Sequence, residues 1–157
     1  MRVVNAATRI AVMGALLALA GACTAPSQDR YRPGLGEIMS LQQMRHTKLW
    51  FAGEVENWPL ATYELDELKE GFDEAARLYP TRDDVPIAAL VRDLTAGPLQ
   101  QLTDAIGDQD RLEFDAAFDS LTAACNACHE AAHFGFNVIR RPTSNPYSDQ
   151  NFDVAAD

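Results

Sequence analysis

Residues 112–133 read LEFDAAFDSLTAACNACHEAAH, and the spacing within them decides the fold. Leu112, Phe114, Phe118, Leu121, Cys125 and Cys128 recur mostly at three- and four-residue intervals, the period of a helix with one apolar face, and no alternation of period two runs through them. The stretch predicts a helix that continues to about His133, with Gly135 placed to close it. Superposed on that helix is Cys125-Asn126-Ala127-Cys128-His129, which sets two thiols on one face and an imidazole one turn on from the first.

The same periodicity extends upstream. A first helix is expected from about Leu35 to Asn57, with Leu35, Ile38, Met39, His46, Leu49 and Trp50 on one side. Asn57 can cap a second, with Pro59 in its first turn, running through Tyr63, Leu65, Leu68, Phe72 and Ala75 to Leu78 before Pro80. A third is expected from Asp84, carrying Ile87, Leu90, Val91 and Leu94, kinked at Gly97-Pro98 and continuing through Leu99, Leu102 and Ile106 to a turn at Gly107-Asp108. Trp50, Phe51, Trp58 and Tyr63 gather near the first junction and read as core. The fold class is therefore all-α, a four-helix up-down-up-down bundle over residues 34–135, with an irregular tail over 136–157 rich in Pro, Asn and Ser.

The first 22 residues do not belong to the bundle. Arg2 and Arg9 precede an uncharged run from Ile10 to Ala22, roughly 13 residues long, against the ~20 that a membrane-spanning helix needs. This predicts an export signal, residues 1–22. Leu19-Ala20-Gly21-Ala22-Cys23 resembles the lipobox of bacterial lipoproteins, which makes Cys23 the expected lipid anchor and residues 23–33 a tether; plain cleavage after Ala22 is the other reading. The expected location is the periplasmic side of a bacterial membrane. Loss of Arg2 and Arg9 takes the net charge from −10 to −12, which argues against nucleic acid or an anionic lipid surface as partner and leaves room for a basic protein.

Cys125-x-x-Cys128-His129 has one reading in which every residue has a role, with the thiols adding across the two vinyl groups of a haem and the imidazole reaching the iron. Three others compete. A redox dithiol expects a βαβ setting, a zinc site drawn from Cys125, Cys128, His129 and His133 lacks spaced ligand pairs, and a Cys125–Cys128 disulfide strains a helix. The residues favour haem c, one per chain.

A helical bundle with Cys-x-x-Cys-His near the end of its last helix resembles the class II c-type cytochromes, the cytochrome c-prime and c556 group. The resemblance covers about Leu35 to His133, and Cys125 to His129 is its only specific motif; His133 stands where that family commonly has Arg or Lys. It implies a haem within the bundle, His129 as proximal iron ligand, and a methionine of the first helix as any sixth ligand. Met39 is at the level of the motif and on the apolar side, whereas Met44 is rotated away by roughly 140°; Met39 as a core filler is the competing reading. His46 reads as a packing residue or, in another register, a ligand. His133 is expected one turn beyond His129 on the same face, near a propionate, and Arg140 and Arg141 are candidates for pairing with propionates.

The expected function is that of a membrane-tethered one-electron carrier serving a redox partner protein, and not an enzyme. A five-coordinate haem binding nitric oxide or carbon monoxide is the alternative, and a haem-bearing accessory subunit docked through Pro142 to Phe152 is a third. The resemblance also allows a homodimer.

Overall fold

The computed structural model describes residues 31–153. The export segment, Cys23 and the tether as far as residue 30 lie outside them, as do residues 154–157. The compact body begins at Pro33.

Four helices follow in order: α1 (Leu35–Glu54), α2 (Trp58–Leu78), α3 (Ile87–Gly107) and α4 (Arg111–Ala131). Each packs on the next in sequence, and α1 meets α4 more sparingly, which closes the ring of an antiparallel bundle. The all-α up-down-up-down fold expected from the periodicity is the one observed. Among the described residues the only β-type pairing is an isolated bridge between Arg82 and Val85, and no helix is long and apolar enough to cross a membrane.

Leu49, Leu65, Leu68, Leu102, Phe114, Phe118 and Leu121 are fully buried and carry the core; each contributes about 1.5–3 kcal/mol through burial. Around them Trp50 packs 5.1 Å from Phe118 and Trp58 packs edge-on 6.0 Å from Phe114. Gly53 lies against the Phe114 ring with no room for a Cβ, so α1 and α4 approach closely at this end.

Helix ends explain where the sequence reading misplaced boundaries. Asn57 caps α2 as expected, its Oδ1 accepting from Leu60 N–H at 3.3 Å, and Asp110 caps α4 by accepting from the N–H groups of Leu112 and Glu113. At the C-termini of α1, α3 and α4 the left-handed residue is Glu56, Gln109 or His133, with φ of 58°, 56° and 64°. In each case that residue and the next donate back into the last turn, for α4 His133 N–H to the Glu130 carbonyl and Phe134 N–H to the His129 carbonyl. Gly135 therefore does not close α4. Because His133 has left the helix, it does not repeat the face of His129, and it is exposed.

Two further expectations need correction. α3 starts at Ile87 rather than Asp84, because Asp83 and Asp84 are both left-handed and Arg82 and Val85 exchange two backbone hydrogen bonds, closing a tight turn first. Pro98 lies inside α3, which continues past it to Gly107. Leu112 is 81% exposed and Tyr63 57%, since each stands two residues, about 200° of helix, from the buried Phe114 and Leu65.

The tail is part of the body. Arg141 lies 4.2 Å over the Trp50 ring and 2.7 Å from Asp119, Lys48 sits over Tyr147, and Phe152 is buried against Phe51. Asn57 Nδ2 donates to the Phe152 carbonyl at 2.9 Å. The chain after α4 thus returns along α1 and α4 to the corner between α1 and α2, so Phe152 and Arg141 are already engaged by their own bundle.

Candidate functional site

Toward the N-terminus of α1 and the C-terminus of α4 lies a cavity of about 210 Å³. Its walls come from all four helices: Leu35, Met39, Gln42 and His46 of α1, Leu68 and Phe72 of α2, Ile87, Val91 and Thr95 of α3, and Cys125, Cys128 and His129 of α4. The residues after α4 add Ala132, Phe134, Asn137 and Ile139. The cavity opens to solvent past Gly36, Ser40, Gln43 and Arg82, all exposed.

The motif residues converge on this cavity. Both cysteines are free thiols. Burial, and then the neighbouring Cys128, push the Cys125 thiol up to about 12, and burial also raises Cys128. Neither is an activated thiolate, unlike a redox dithiol. His129 Nδ1 lies 2.6 Å from the Asn137 carbonyl. A carbonyl only accepts, so Nδ1 carries a proton, and it is Nε2 whose lone pair the neutral tautomer exposes. The loop presenting that carbonyl is pinned by Asn126 within the motif: its Nδ2 donates to the Ile139 carbonyl at 2.8 Å and its Oδ1 accepts from Ile139 N–H at 2.7 Å.

On the α1 side Met39 lines the cavity and Met44 does not. His46 lines it too, but its Nε2 is 2.8 Å from Thr122 Oγ1. Thr122 spends its only hydroxyl proton on the Phe118 carbonyl at 2.9 Å, so the ring must be the donor. Burial lowers the His46 pKa to about 4 and keeps it neutral. Its Nε2 is thereby committed to packing α1 against α4, which favours the packing reading over ligation.

Gln42 was not singled out by the sequence, although Ile38, Gln42 and His46 form a stripe at intervals of four. It is 5% exposed, and neither amide atom has a hydrogen-bond partner. Arg82, in the turn between α2 and α3, also lines the cavity; nothing in its sequence neighbourhood signals this. Arg140 is exposed and outside the cavity wall, and Arg141 is held by Asp119 and Trp50. His133 is likewise absent from the wall, and among the described residues no group of three or more His, Cys, Asp or Glu side chains is arranged to hold a single metal ion.

Compared with protein-family models, curated proteins and solved structures, the chain matches none.

Proposed function

We propose that the protein is an exported c-type cytochrome that holds one haem c in this cavity and carries single electrons. The observation that supports it is the convergence of two free thiols, an imidazole whose neutral tautomer exposes its Nε2 lone pair, and an apolar cavity at one end of the bundle. The residues present suit the group. Leu68, Phe72, Ile87 and Val91 offer an apolar interior to a macrocycle.

Cys125 and Cys128 would hold the haem through two thioethers, each S–H adding across a vinyl C=C with sulfur on one carbon and hydrogen on the other, an addition that needs no oxidant or reductant. His129, with Nδ1 held by the Asn137 carbonyl, would be the residue of α4 to ligate iron, and Met39, on the α1 side of the cavity, would be the candidate second protein ligand. When bound, the haem supplies reversible one-electron chemistry. The leader, with two arginines ahead of an Ala- and Leu-rich run, supports export, and Cys23 supports a lipid anchor on the periplasmic side; the acidic surface suits a basic redox partner.

The test is an absorption spectrum, oxidised and reduced, of protein made in cells with haem-attachment machinery, followed by a pyridine haemochrome assay after acid-acetone extraction. Retained haem with a sharp reduced α band is expected, with the far-red sulfur-to-iron band disappearing in Met39→Ala. High-spin bands that shift with carbon monoxide assign an open sixth position and a gas-binding role. Complete absence of haem overturns the proposal.

A further inference from the structure

The cavity wall is neutral with one exception. Among the described residues that line it, Arg82 is the only Lys, Arg, Asp or Glu, in a chain whose 23 acidic residues outnumber its 13 basic ones. The Arg82 side chain is 43% exposed, so it stands at the solvent-facing edge of the cavity, where an anionic group of an occupant can reach it and little in its own neighbourhood competes. The nearest carboxylate is that of the adjacent Asp83, 3.6 Å away and 90% exposed, an arrangement that contributes little in water.

The backbone that places Arg82 is costly. Asp83 and Asp84 are both left-handed, at φ 48° and 67°, conformations that disfavour residues with a Cβ by about 1–2 kcal/mol. The two hydrogen bonds exchanged by Arg82 and Val85, at 3.0 and 2.9 Å, hold the turn shut. Strain of this kind persists where the surrounding structure fixes a position. The guanidinium then lies 5.3 Å from the ring centre of Phe134, another cavity residue. Stacking on an aromatic face fixes the plane of the fork and leaves its N–H edge free for a planar acceptor.

We infer that Arg82 is a cofactor-positioning residue that receives a carboxylate of the bound molecule, and that the cavity therefore selects an occupant with an apolar body and a carboxylate edge. On the haem reading, on which this assignment rests, the carboxylate is a propionate. A bidentate guanidinium–carboxylate pair fits the donor geometry, and Arg82 takes the part that sequence reasoning had given to Arg140.

The test compares haemin with haemin dimethyl ester, whose propionates cannot ionise, in Soret titrations of the full chain made without haem attachment. The unaltered protein is expected to prefer haemin by roughly tenfold or more, the value of one charge-assisted pair. Arg82→Gln should abolish the preference and Arg82→Lys restore part of it, with circular dichroism confirming that both are helical. Equal binding of the two porphyrins by the unaltered protein overturns the assignment without any variant, and so does an undiminished preference in Arg82→Gln. The haem reading fails separately, through a negative pyridine haemochrome assay on matured protein; covalent haem with no ester discrimination leaves that reading standing and removes only Arg82.

Discussion

His46 and Thr122 join α1 to α4 beside the cavity through a buried bond of 2.8 Å, in which the neutral imidazole donates and the threonine hydroxyl accepts. The pair sets a pH limit on the fold. Burial holds the imidazole at about 4, whereas in the unfolded chain it titrates near 6.5. Between those values the unfolded chain binds a proton that the folded chain refuses, so stability is complete above 6.5 and falls as pH drops toward 4. The loss is on the order of 3 kcal/mol. Urea denaturation of the apoprotein at pH 7 and pH 4 should show His46→Gln less stable than the parent at pH 7 but with a shallower acid loss. Identical acid losses would falsify this account.

Asn126 occupies a variable position of the motif, yet it forms two hydrogen bonds with the Ile139 backbone. Asn126→Ala should cost about 1–3 kcal/mol, because the Ile139 groups lose their partner. It should also loosen the loop whose Asn137 carbonyl orients His129. Thermal melts give the first effect. For the second, the matured variant should show a higher reduction potential spread over a heterogeneous population, because an imidazole that loses its Nδ1–H···O=C bond is a weaker donor; an unaltered, homogeneous potential argues against the orienting role.

Two glycines of the helices differ in what a methyl group would meet. At Gly53 it meets the Phe114 ring, buried and locked among Trp50, Trp58 and Phe118, so Gly53→Ala should destabilise by about 1–3 kcal/mol. At Gly71 it meets the flexible amide end of Gln42, which can swing toward the cavity. Gly71→Ala should therefore cost less stability in the apoprotein and yet reduce haemin uptake. Equal destabilisation by both, with haemin uptake intact in Gly71→Ala, contradicts the distinction.

Gln109 ends α3 in a left-handed conformation without being glycine. Gln109→Gly removes the Cβ penalty and should stabilise the protein by up to about 1 kcal/mol, after the greater backbone freedom of glycine in the unfolded chain is offset. A rise in the denaturation midpoint with an unchanged slope is the expected result; a fall indicates that the glutamine side chain contributes contacts of its own.

The period of the apolar residues made the four helices legible, along with the Asn57 cap and the convergence of Cys125, Cys128 and His129 on one helix face. Those features depend on residues a few positions apart, whose relative placement a helix fixes wherever it forms. Reading failed where local chemistry had competing solutions. Gly135 is the natural closing residue of α4 by composition, but His133 takes the left-handed position, where its own N–H and that of Phe134 satisfy the terminal carbonyls.

From its sequence alone the chain specifies an all-helical bundle and a pair of thiols beside an imidazole, because both follow from covalent spacing and helical geometry. Tertiary structure decided what surrounds that trio: Met39 in the cavity lining, Gln42 buried without partners, His46 tied to Thr122, and Arg82 rather than Arg140 at the cavity. It also turned the final segment into a strap across the bundle. These contacts join residues up to 96 positions apart, and no local periodicity encodes them; they exist only once burial of the shared core has fixed how the helices and the returning chain lie against one another.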